Sequence, residues 1–91
     1  MADKRIVSAG SLESCDAHII IQEAETGEPV IEVESIVLKQ FGRHIRQSVR
    51  EVLDTFGITG VLVQVRDRGA YDCTIRARAE AAVLRYLEAK Q

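Results

Sequence analysis

The segment Tyr71-Asp72-Cys73-Thr74-Ile75-Arg76-Ala77-Arg78-Ala79-Glu80-Ala81-Ala82-Val83-Leu84-Arg85-Tyr86 decides the fold, because it satisfies two periods at once. Tyr71, Cys73, Ile75 and Ala77 alternate with polar residues, as one face of a strand does. Ile75, Ala79, Ala82, Val83 and Tyr86 fall at helical spacing. Length and alanine content decide between them, since few strands run this long and Ala is the best helix former. The segment is therefore read as a helix over 73–89, with Asp72 as its N-cap.

Working back toward the N-terminus, Asp67-Arg68-Gly69-Ala70 is a turn, and Gly60-Val61-Leu62-Val63-Gln64-Val65-Arg66 reads as a buried strand. Upstream, Leu38, Phe41, Ile45, Val49, Val52, Leu53 and Phe56 form one apolar stripe. They predict a helix over 36–56, with Ser35 as N-cap and Gly57 just past its C-terminus. Gly42 inside it costs about 1 kcal/mol relative to Ala, and a close approach by a neighbouring strand would explain it. Ala17–Glu23 is a β-branched run and Val30–Glu34 alternates. The Thr26-Gly27-Glu28-Pro29 break between them predicts a hairpin. Val7–Ser11 adds a short edge strand. The element order is β(β)βαβα: an α+β domain whose small antiparallel sheet is covered on one face by two helices.

Ninety-one residues suit one domain spanning 1–91. Its first fifteen residues have the weakest periodicity and are expected to be the mobile part. With 46% hydrophobic and 29% charged residues the chain is globular, and with 4% aromatics the core must rest on Val, Ile, Leu and Ala. A net charge of −2 argues against a generic nucleic-acid binder. No apolar run approaches the roughly 18–20 residues that span a bilayer. Met1-Ala2-Asp3-Lys4-Arg5 carries no signal-like apolar stretch, so a cytoplasmic location is expected and no membrane partner. Cys15, Cys73, His18 and His44 lack ligand-pair spacing, so no metal site is expected.

Charge divides unevenly: residues 1–35 carry −6 and residues 36–91 carry +4. That asymmetry predicts a dipolar surface suited to docking. Lys39, Arg43, Arg46 and Arg50 share one face of the first helix, a candidate docking stripe for phosphates or an acidic partner patch.

Catalytic signatures are missing. Gly-x-Ser-x-Gly and phosphate-cradling glycine loops do not occur, and Ser14 and His18 are not brought together by strand spacing. Gly57-Ile58-Thr59-Gly60 matches Gly-x-x-Gly, but it leads into a strand and carries no base, so it reads as a helix end and turn. No stand-alone enzyme is expected. The polar segment Gly10-Ser11-Leu12-Glu13-Ser14-Cys15-Asp16 is an ordinary turn on local grounds; its sharper reading is a modification site, since a loop hydroxyl is within reach of a modifying enzyme.

Ala9-Gly10-Ser11-Leu12-Glu13-Ser14-Cys15-Asp16 resembles the Ala-Gly-Thr-Leu-Glu-Ser-x-Asp signature of the citrate lyase acyl carrier family, the γ chains of that complex. Lys39-Gln40-Phe41-Gly42 with Ile45-Arg46, and Gly69-Ala70-Tyr71-Asp72-Cys73-Thr74-Ile75-Arg76-Ala77-Arg78, look like the same family. The resemblance spans about residues 6–86. It implies that Ser14 carries a covalent 2'-(5''-phosphoribosyl)-3'-dephospho-CoA group through a phosphodiester. It further implies that the arm's thiol carries acetyl and citryl thioesters between an α acyl transferase and a β citryl lyase subunit. A dedicated prosthetic-group transferase would load it, and the carrier of malonate decarboxylase is a more distant relative with the same kind of arm. Citrate and citramalate both remain open as the substrate of the complex. The competing class is a non-carrier interaction or regulatory subunit that uses the basic helix face and treats Ser14 as a turn residue.

Overall fold

The computed structural model describes residues 4–89, so Met1–Asp3 at the start of the stretch read as mobile, and the charges of Asp3 and Lys90, lie outside the described residues. Strand β1 (Ile6–Gly10) leads into β2 (Ala17–Glu23) and β3 (Val30–Ser35); helix α1 (Leu38–Thr55), strand β4 (Val61–Asp67) and helix α2 (Asp72–Glu88) follow. The segment with two competing periods is a helix. Burial of Ile75, Ala79, Ala82, Val83 and Tyr86 on one stripe is what only the helical period achieves.

Strand order is β1-β2-β4-β3, with β1–β2 and β2–β4 antiparallel and β3–β4 parallel. The hairpin expected between β2 and β3 is therefore not formed, because β4 lies between them. Its inward row, Val61, Val63 and Val65, is completely buried and needs a neighbour on each side. The β3 strand exposes Glu32 and Glu34 and sits at the edge, where charges protect an unpaired strand. A helical crossover joins β3 to β4, the connection that parallel neighbours require.

Ala17, Ile19 and Ile21 of β2 and the valines of β4 face the helices. Across from them pack Ile45, Val49, Val52 and Leu53 of α1 and the α2 stripe. Helix α1 lies over β3, whereas α2 lies over β1 and β2. His18, Ile20 and Gln22 point to the other face, which no helix covers.

Two local expectations are corrected. Ser35 is the last residue of β3, not the N-cap of α1: Val37 takes that place without a side-chain cap. Ser35 Oγ instead accepts from the Val37 N–H at 3.0 Å and donates to buried Asp67 at 2.7 Å, tying the start of α1 to the end of β4. Gly42 does not admit a strand. A Cβ there would lie 2.7 Å from Leu38 Cδ1, one turn earlier on the same helix. Tyr71 rather than Asp72 is the N-cap of α2, and Asp72 opens the first turn, where its charge suits the helix dipole. Gly57 takes φ +68 past the end of α1, as a C-terminal glycine should.

Candidate functional site

The β1–β2 connection carries Ser14 at its outer end. Gly10 leaves β1 with φ +89 and Cys15 re-enters with φ +64, so the loop turns through two left-handed residues. Its neck is closed by the Ser11 N–H donating to the Ala17 carbonyl at 3.2 Å. Ser11 Oγ donates to Asp16 at 2.7 Å and accepts from the Glu13 N–H at 3.2 Å, a hydroxyl turn of the kind serine favours.

Two contacts clamp the loop to the rest of the molecule. Arg78 of α2 holds the Asp16 carboxylate through Nε at 2.8 Å and a second nitrogen at 3.3 Å. Its hydrogen bonds, together with those from Ser11 and the Ala17 N–H, hold the Asp16 carboxyl well below the usual carboxylate range. The Cys15 N–H donates to the Arg68 carbonyl at 2.8 Å, and the Arg68 N–H returns a bond to the Asp16 carbonyl at 2.9 Å. The loop is thus fastened to the β4–α2 turn on one side and to α2 on the other. None of these contacts uses the Ser14 side chain, which is exposed and has no hydrogen-bond partner among the described residues. A bulky group on that hydroxyl would break no contact, so the site fits covalent attachment of a phosphodiester-linked group.

Sequence reasoning put Ser14 in an exposed polar turn but missed the clamp that holds that turn. Asp16 and Arg78 are 62 residues apart, and no local pattern links them. Both nevertheless fall inside the stretches that carry the family resemblance. The third such stretch reaches the same end of the molecule. Phe41 and Ile45 of α1 and Gly69–Asp72 line one cavity of about 380 Å³, together with Val37, His44 and Ile75. His44 Nε2 lies 3.2 Å from Asp72 at its edge. Asp72 also accepts from Ser48 Oγ at 2.5 Å and from Arg76 Nε at 2.9 Å, and these bonds lower its pKa, Ser48 contributing most. Arg76 reaches on to Glu51 at 2.6 Å, so the polar network locks α1 to α2 beside the cavity.

The basic stripe is split. Arg46 Nε donates to the Ile31 carbonyl at 3.2 Å, and Arg50 pairs with Glu28 at 3.4 Å and Asp54 at 3.5 Å. Lys39 and Arg43 are exposed and make no ion pair among the described residues. The expected dipole is also reduced: acids of the first third meet bases of the remainder in Glu28–Arg50, Glu34–Arg66, Glu34–Arg68 and Asp16–Arg78. Pairing β3 with β4 contributes Glu34–Arg66, and the other contacts come from α1, the β4–α2 turn and α2. Cys15 and Cys73 are both exposed free thiols. Among the described residues no group of three or more His, Cys, Asp or Glu could hold a metal ion, and no helix is long and apolar enough to cross a membrane.

Residues 4–86 match the acyl carrier family model described as malonate decarboxylase delta subunit. The chain is 56% identical to the citrate lyase acyl carrier protein of Streptococcus uberis over 77 residues, 85% of this chain and 75% of that protein. It is 44% identical to the protein of the same name from Haemophilus influenzae, over 89% of this chain and 83% of that one. Among solved structures, a chain of a Pseudomonas malonate decarboxylase hetero-tetramer in complex with malonate has a similar fold. The TM-score is 0.67 at 21% identity, covering 91% of this chain and 82% of that chain.

Proposed function

This chain belongs to the citrate lyase acyl carrier protein family, and from that membership we propose that Ser14 is where its prosthetic group is attached. Its role is that of an acyl carrier, working with catalytic subunits through a group held on a serine. The observation that carries the assignment to Ser14 is its free, exposed hydroxyl on a loop braced by Asp16–Arg78 and Cys15–Arg68. The brace keeps the attachment point in a fixed position while every internal bond remains intact after derivatisation.

The arm is read as 2'-(5''-phosphoribosyl)-3'-dephospho-CoA. When bound, it supplies a terminal thiol that carries acetyl and citryl as thioesters between an α acyl transferase and a β citryl lyase subunit, so that citrate is cleaved to acetate and oxaloacetate. Loading by a prosthetic-group transferase joins Ser14 Oγ to the phosphorus of a triphosphoribosyl precursor. Pyrophosphate leaves, and the hydroxyl proton passes to a base of the transferase or to water. The chain itself supplies no catalytic group in this reading: it acts as one carrier unit over residues 1–91, in the cytoplasm. Tethering raises the effective concentration of the acyl group at each partner site.

Intact-mass measurement of the protein from its native host tests the assignment. The wild-type chain should carry the mass of one arm, and Ser14→Ala should carry none. An unmodified wild-type chain inside an active citrate-cleaving complex would falsify it.

The stripe of Lys39, Arg43, Arg46 and Arg50 is assigned to docking. Lys39 and Arg43, which make neither an ion pair nor a side-chain hydrogen bond among the described residues, are its available part, and they can attract an acidic patch on a catalytic subunit. Reversing both to Glu should slow association about tenfold at low salt, with the difference fading as salt rises. Unchanged association kinetics at low ionic strength would remove the stripe from the docking surface.

A further inference from the structure

The cavity beside the Ser14 loop has the features of a site for a flat aromatic ring. Phe41 and Tyr71 line it while remaining 50% and 75% exposed, far more than packing residues of those types usually are. Ile45 and Ile75, both buried, provide its inner wall. The His44–Asp72 pair adds hydrogen-bonding groups at the edge. An apolar cavity of about 380 Å³ with aromatic walls and a few polar groups is the usual form of a small-ligand pocket.

Its position relative to Ser14 names the occupant. Cys15, next to Ser14, is bonded to the Arg68 carbonyl, and Arg68 lies three residues before Tyr71 in the turn that forms the cavity wall. The loop that carries Ser14 is therefore fastened to the same turn that lines this cavity. Resting on the nucleotide arm proposed above for Ser14, we infer that the adenine of that arm lies in this cavity, stacked on Tyr71 and Phe41. Every base offers a π-face for such stacking, whatever its hydrogen-bonding edge. His44 and Asp72 then face the amino and ring-nitrogen edge of the purine, which combines a donor with an acceptor. Docking the base fixes the near half of the arm against the carrier and leaves the thiol end free to visit partner subunits. The tether makes even a weak stacking site effective, because the local concentration of the base is in the millimolar range.

The test uses the loaded carrier and a free probe together. In loaded wild-type protein, the adenine H2 and H8 proton resonances should move upfield from their positions in free 3'-dephospho-CoA, as ring stacking requires. The emission of Tyr71 should also be quenched relative to unloaded Ser14→Ala protein. Tyr71→Ala is at a largely exposed position and should still load fully by mass, yet lower the bound fraction of the base at least about fivefold. Loaded wild-type carrier whose adenine protons keep their free positions overturns the inference while leaving the arm assignment intact. Should mass measurement show no arm at all, 3'-dephospho-CoA titrated at millimolar concentration into the unloaded chain decides the matter. Shifts centred on Phe41 and Tyr71 support the base site, and their absence overturns it.

Discussion

Gly10→Val is expected to damage both the fold and the presentation of Ser14. Gly10 holds φ +89, and a Cβ on it would lie 1.8 Å from the Ala17 carbonyl oxygen and 3.2 Å from Arg78 Cδ. A β-branched residue is strained at that backbone angle, and no rotamer relieves a contact with backbone. The Ala17 carbonyl is the acceptor that closes the neck of the loop through Ser11, so the two strands must separate where the loop begins. Arg78 must move with them, which loosens its grip on Asp16. Backbone strain and overpacking together should lower stability by about 2–4 kcal/mol in urea denaturation. The proposed loading of Ser14 by a transferase should fall at least about tenfold at temperatures where the variant is folded, as a loss of about 1.4 kcal/mol in fixing the loop would give. A variant with wild-type stability and loading would show that the loop neck tolerates a side chain and that the brace does not govern Ser14.

Leu53→Ala should separate stability from carrier function. Leu53 is completely buried among the core residues of α1, the sheet and α2. Truncating a buried leucine costs about 2–5 kcal/mol, the spread reflecting how far the surroundings collapse. A chain of this length has only roughly 5–14 kcal/mol in total, so thermal unfolding should move down by at least about 10 °C. Leu53 lies near the end of α1 that is far from Leu38, roughly 22 Å along the helix axis. Loading well below the new midpoint should therefore stay near the wild-type rate. A drop in melting temperature below a few degrees would mean that this position is not a packing centre of the core.

The elements themselves were legible because their evidence is local. The α1 stripe, the apolar run of β4 and the glycine after α1 each rest on a few neighbouring residues. Even the segment with two periods was resolved by length and alanine content. The sheet order was not legible, because the short loop after β2 reads as a hairpin and the competing partner, β4, lies far downstream. One signal pointed the right way: Glu32 and Glu34 alternate along β3 as exposed charges do on an edge strand. Gly42 shows a similar limit. Its neighbour is Leu38 on the same helix, a contact that depends on a side-chain rotamer rather than on spacing.

By itself the sequence determined that this is a small α+β chain, and it singled out the Leu-Glu-Ser stretch with Ser14. Only the tertiary structure decided which groups hold that serine in place. Asp16 meets Arg78, and Cys15 meets Arg68, because β2 pairs with β4 and α2 then folds back over β1 and β2. The near-neutral total charge concealed a divided chain, and ion pairs between its two parts partly close that division. Such pairings depend on which distant strand buries its apolar row most completely, a competition over the whole chain that no local window contains.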